Sequence, residues 1–167
     1  MKKLFLFMLL LSFSCTSFAQ EDRKSPINLL LNAWHEAAAN ADYDRYFSFM
    51  ADDGIFIGTD ATEHWTKQEF QAYAKPHFDK GKAWAFTCIQ RNIYFNEDRN
   101  IAWFDELLDT RMKICRGSGV LVFTDNGWKI KHYVLSMTIP NDSSDEVIKI
   151  KSTIEESLTT ELKKKKG

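Results

Sequence analysis

The hydrophobic period of this chain changes once, near Trp84, and that single switch sets the fold class. Before it, apolar residues recur at helical spacing. Ser25-Pro26 reads as a cap followed by proline at the first helical position, after which Ile27, Leu30, Leu31, Trp34 and Ala38 fall on one face. Asp42 opens a shorter helix with Tyr43, Tyr46, Phe47 and Met50 on its apolar side, and Gly54-Ile-Phe-Ile-Gly58 reads as a short strand. Thr66-Lys-Gln-Glu69 is a capping box for a third helix carrying Phe70, Tyr73 and Ala74, which Pro76 is expected to end or kink. Beyond Trp84 the period is two. Segments 84–95, 100–108, 114–124 and 127–138 are rich in aromatic and β-branched residues, with Asp125-Asn126-Gly127 as a tight hairpin turn. Helices first and then a meander make the class α+β.

A different segment follows Pro140. Ser143 to Glu146 has the form of another capping box, and Val147, Ile150, Ile154, Leu158 and Leu162 make a narrow stripe on a charged helix that ends in Lys163 to Lys166. The expectation is a solvated terminal helix docked by that stripe, its lysines complementing the helix dipole. A stripe against a partner subunit and a basic tip on an acidic surface are the alternatives.

The N-terminus carries an address. Lys2 and Lys3 precede an apolar run from Leu4 to Phe13, and Ser17 and Ala19 are small residues placed for cleavage before Gln20. This predicts a signal peptide over 1–19, a domain over 20–141 and a terminal helix over 142–167, in an exported protein, periplasmic or secreted. A lipid-anchored form through Cys15 is disfavoured, because Ser12 and Phe13 fit a lipobox poorly. No later stretch is apolar enough to predict a transmembrane segment. A net charge of −1 gives no electrostatic case for nucleic acid. Cys88 and Cys115 fall on strands separated by a third, about 9–10 Å apart at roughly 4.8 Å per strand, which favours unpaired thiols over a disulfide.

Specific runs narrow the fold. Gly58-Thr-Asp-Ala-Thr-Glu63-His-Trp65, then Ala102-Trp-Phe-Asp-Glu106, then Gly127-Trp-Lys-Ile-Lys-His132-Tyr-Val-Leu-Ser136 with Ile139-Pro-Asn141 after it, follow one another in the expected elements. Between about Pro26 and Asn141 the chain resembles the SnoaL-like branch of the nuclear transport factor 2-like superfamily. The resemblance implies a cone: three N-terminal helices packed on a strongly bent antiparallel sheet, here with an added C-terminal helix. It implies a pocket between the helices and the concave face, and homodimers through the sheet's outer face. Val120 and Val122 alternating with Leu121 and Phe123 leave the third meander strand apolar on both faces, which dimerisation explains. The superfamily hosts isomerases, cyclases, dehydratases, hydrolases and non-catalytic modules, so the fold alone names no activity.

Strand alternation places Trp128, Ile130, His132, Val134 and Ser136 on one face, taken as inward. Trp103, Asp105 and Leu107 oppose Phe104, Glu106 and Leu108, and which set points inward stays open. By resemblance to cyclases and dehydratases of the superfamily, His132 with Asp105 forms a catalytic His–carboxylate dyad if both face the pocket; otherwise His132 is a half-buried sheet residue. Arg116 either anchors a ligand carboxylate or neutralises Glu63 or Glu106. The stretches Ala41-Asp-Tyr-Asp44 and Ala51-Asp-Asp-Gly54 resemble ketosteroid isomerases; the resemblance implies their oxyanion tyrosine at Trp34 and their catalytic aspartate at Gly58, where glycine supplies no base, and Asp60 is the residue left to replace it.

The histidines at 35, 64, 77 and 132 lack metal spacing, and no phosphate loop, nucleophile elbow or cofactor motif is found, so neither metal nor cofactor is expected. Five tryptophans are the unusual feature. Aromatic residues at helix and strand spacing are read first as core packing, with Trp34 and Trp65 the ones expected at a pocket mouth and Trp103 and Arg116 as further ligand contacts. The preferred expectation is binding of a small, largely apolar ligand without assignable catalysis. An acid–base enzyme using His132 and Asp105 is the first alternative, and a dimerisation or assembly module the second.

Overall fold

The structure, a computed structural model, describes residues 24–165, so the leader expected over 1–19 lies outside the described residues. A first helix, α1, covers 24–39. It is already helical at residue 24, so Ser25 lies inside it and is not its cap. The second helix, α2 (Tyr43–Ser48), is capped as expected, the Asp42 carboxylate accepting from the Arg45 amide at 3.1 Å. Strands β1 (Met50–Ile57) and β2 (His64–Thr66) then lead into α3 (Lys67–Asp79). The Thr66–Glu69 capping box forms in full. Pro76 does not end α3, which runs three residues past it. The proline removes the donor to the Ala72 carbonyl, but Ala72 is exposed and water can take that place.

The meander follows as β3 (Thr87–Phe95), β4 (Ile101–Thr110), β5 (Lys113–Thr124) and β6 (Gly127–Met137). All six strands form one sheet in the order β2-β1-β6-β5-β4-β3. The sheet is mixed, because β1 lies parallel to β6 with Phe56 opposite Tyr133. Helices α1 to α3 cover one face, and their apolar sides meet Phe56, Phe104, Leu121, Ile130 and Tyr133 in a single core. Trp34 stands in its middle, stacked on Tyr46 at 5.0 Å and edge-on to Tyr133 at 4.7 Å. Such packing is specific as well as apolar, since aromatic pairs favour offset and edge-on geometry.

Bulges in β6 and β3 break the strict alternation read from the sequence. In β6, Ile130 pairs with Leu121 while His132 pairs with Val120, so one extra residue intervenes. Ile130 therefore points into the core, and so do Tyr133 and Leu135, whereas His132, Val134 and Ser136 are turned to the outer face. This corrects the inward assignment of His132. In β4 the buried set is Ala102, Phe104, Glu106 and Leu108, which puts Trp103, Asp105 and Leu107 outward. In β3, Ile89 is the extra residue, 57% exposed, between Cys88 and Gln90. Cys88 and Cys115 both oppose Leu108, one from each side, so a full strand separates them.

Residues from Thr138 onward form a second unit. A 3-10 turn (Asn141–Ser143) opens into α4 (Ser144–Lys164). The Ser143 side chain makes no cap hydrogen bond, so the expected box is absent there, and no α4 residue is buried. Among the described residues no helix is long and apolar enough to cross a membrane.

Candidate functional site

The sheet brings one carboxylate into the core. Glu106, on the inward face of β4, is 1% exposed, and burial alone would raise its pKa. Its partners outweigh that cost. His35 Nε2 on α1 lies 2.9 Å from Oε1, the Tyr133 hydroxyl donates to the same oxygen at 3.1 Å, and Arg91 Nε donates to Oε2 at 2.8 Å. The hydrogen bond and charge of His35, with the charge of Arg91, hold the Glu106 carboxyl below the usual carboxylate range. Arg91 Nη2 is 2.7 Å from Oε2 as well, an ionic contact whose N–H direction makes no hydrogen bond. Nη1 reaches back to α1, donating to the Asn32 side chain at 2.9 Å and to Asn28. Burial, with the Glu106 charge behind it, raises the Tyr133 hydroxyl well above its ordinary pKa, so it remains a donor.

Glycines make this cluster possible. A side chain at Gly117 on β5 would put its Cβ 2.2 Å from the Tyr133 hydroxyl and 3.0 Å from Glu106 Cγ. Gly119, one inward position on, would meet Phe104 at 2.8 Å. The two glycines let Tyr133 of β6 lie across β5 and reach β4.

A cleft of about 710 Å³ opens beside the cluster, between α3, the 58–63 loop and the segment after α3. Phe56, Trp65, Phe70, Tyr73, Trp84 and Phe86 supply its aromatic walls. Trp65 and Tyr73 stack at 4.5 Å, and Phe86 also meets the His35 ring edge-on at 6.0 Å. Polar groups are few: Thr59, Glu63, His77, Lys82 and Arg111. The Glu63 carboxylate is turned back over its own loop, accepting from the Asp60 amide at 3.1 Å, and glycine at 58 leaves room for it. The volume and lining are those of a small-molecule site.

These features meet a family model. The description of that model is SnoaL-like domain, and it matches residues 27–140. The chain belongs to the SnoaL-like domain family. Solved structures agree on the fold, at identities too low to carry more. A Nostoc punctiforme domain of unknown function with a cystatin-like fold is 15% identical, covering 87% of this chain and 97% of that one at a TM-score of 0.63. A Novosphingobium aromaticivorans protein named as a candidate aromatic ring hydroxylase is 17% identical, with 72% and 91% covered and a TM-score of 0.61. A Streptomyces avermitilis protein named as a candidate dehydratase of the nuclear transport factor 2-like family is 13% identical, with 72% and 99% covered and a TM-score of 0.60. No curated protein matches the sequence.

Within this SnoaL-like domain the residues expected at the site are scattered. Trp65 lines the cleft. Trp34 is 1% exposed in the core, and its Nε1 has no hydrogen-bond partner among the described residues. Trp103 is on the outer face, 45% exposed, beside Tyr94 at 6.0 Å. His132 and Asp105 share that outer face but oppose different residues of β5, Val120 and Ser118, and Asp105 accepts from Asn92 at 3.0 Å. They do not form a dyad within the cone. Arg116 is exposed opposite Leu107 and Ser136, and Arg91, not Arg116, neutralises Glu106. The Asp60 carboxyl is occupied by the Thr62 hydroxyl and amide, which hold it below the usual range.

The sequence reading missed Arg91 and the cleft residues Arg111 and Lys82; it named His35 only among the scattered histidines and Glu106 only as a partner for Arg116. Two signals were available. Gly117 and Gly119 two apart in an apolar strand mark a close approach, and Lys131-His132 is an unbroken polar pair where the alternation slips.

Proposed function

We propose that this SnoaL-like domain binds a small, largely apolar molecule in the cleft beside Trp65, as an exported homodimer. The observation that carries the reading is the open aromatic cleft of about 710 Å³, in which Trp65, Tyr73, Trp84 and Phe86 keep part of their surface uncovered. Stacked rings left to solvent favour a flat partner. Export rests on Lys2, Lys3, the apolar run and Ala19. The dimer rests on the outer sheet face, where Tyr94, Ile101 and Trp103 are exposed together on β3 and β4.

Native mass spectrometry of the protein purified from its own host tests all three parts. The expected species is a dimer, each chain lacking residues 1–19, with an extra mass of a few hundred daltons that denaturation removes. An empty monomer of full-length chain would overturn the reading.

A second reading is acid–base catalysis, and the 2.9 Å contact between His35 and Glu106 favours it over the pair His132 and Asp105. Phe86 lines the cleft and touches the His35 ring, so a modest side-chain movement would connect them. Turnover that His35→Asn abolishes while ligand affinity persists would establish it. Binding unchanged by that variant, with no turnover in either protein, would dismiss it.

A further inference from the structure

Two cations reach the cleft without an ion-pair partner. Lys82 and Arg111 line it, and neither pairs with a carboxylate among the described residues. They come from distant parts of the chain, and turn chemistry places each one. Gly81, at φ +70°, closes α3 by donating its amide to the Phe78 carbonyl at 2.9 Å, which sends Lys82 across the opening. Arg111 occupies the β4–β5 turn. There the buried Thr110 hydroxyl accepts from the Met112 amide at 2.9 Å and donates to the Lys113 carbonyl at 2.9 Å. His77 adds a third nitrogen donor from α3. Glu63 is the one carboxylate among the lining residues, and it is tied to its own loop.

From this arrangement we infer that the ligand is an amphipathic anion, an aromatic or apolar body with a carboxylate or phosphate head, whose charged end meets Arg111 and Lys82 while the body lies on Trp65 and Tyr73. The inference rests on the binding reading above and specifies its ligand class. Guanidinium and ammonium groups at the rim of a low-dielectric cleft attract an anion more strongly than the same groups in open water. Arg111 can hold a carboxylate through two parallel N–H donors, which fixes the orientation of the ring behind it.

The test uses acid and amide pairs of one shape: 2-naphthoate with 2-naphthamide, and cinnamate with cinnamamide. Each is titrated calorimetrically into the intact protein at low ionic strength, where screening is weakest. Each acid is expected to bind about ten-fold more tightly than its amide. The double variant Lys82→Met and Arg111→Met should lower acid affinity to the amide level and leave amide binding unchanged, which also shows that the variant is folded. Equal affinity of acids and amides for the natural protein would overturn the anion inference while the cleft reading stands. Failure of all four to bind at millimolar concentration would overturn both.

Discussion

The hydroxyl of Tyr133 on β6 donates to Glu106 Oε1 on β4 at 3.1 Å, reaching over β5 where Gly117 has no side chain. Gly117→Ala is the smallest change that blocks this contact. The new Cβ would fall 2.2 Å from the hydroxyl, so Tyr133 must move and Glu106 loses a donor. The expected cost is about 2–3 kcal/mol, combining overpacking with a lost buried hydrogen bond. Urea unfolding at neutral pH measures it. An alanine variant as stable as the parent would remove the argument.

Glu106 also links stability to pH. Its carboxyl is held below the ordinary range in the folded protein, so the folded state binds this proton less readily than the unfolded chain. Its contribution is then complete above the unfolded value near 4.5 and is lost as pH falls through the lower folded value. Glu106→Gln should flatten the stability profile in that acid window. At neutral pH it should cost about 3–5 kcal/mol, because Arg91 is left buried without its counter-charge. Thermal melts of both proteins between pH 3 and 7 give the comparison.

Trp34 and Trp65 should separate folding from binding. Trp34 is fully enclosed, so Trp34→Ala leaves a large cavity and should cost about 3–5 kcal/mol. Trp65 keeps part of its surface in the cleft and stacks on Tyr73. Trp65→Ala should cost less than half as much and lower ligand affinity about ten-fold, in keeping with the loss of a stacking platform. Unfolding curves together with the calorimetry of naphthoate distinguish the two roles.

Trp103 probes the outer face. It is 45% exposed beside Tyr94, so a charge there can stay hydrated in a single chain but not inside an apolar interface. Trp103→Glu should leave the melting curve of dilute protein nearly unchanged and convert the proposed dimer to monomer in sedimentation equilibrium. A variant that sediments like the parent would place any dimer contact elsewhere.

The helical half of the fold was legible because local signals agree with burial. Ile27, Leu31 and Trp34 recur on one helical face, and Asp42 and Thr66 cap the helices they precede. The four meander strands were legible from their period of two, and the motif order within them pointed to the SnoaL-like fold. The tertiary structure decided which side of each strand is inside. One extra residue in β6 reverses every side chain after it, sending His132 out and Tyr133 in, and local pattern cannot weigh that slip because Val134 and Leu135 are both apolar. It also decided the polar centre. His35 and Glu106 lie 71 residues apart, and each looks unremarkable in its own segment. Only the docking of α1 onto β4, under the opening left by Gly117, makes them partners, because a buried carboxylate must find its donors wherever the packed chain brings them.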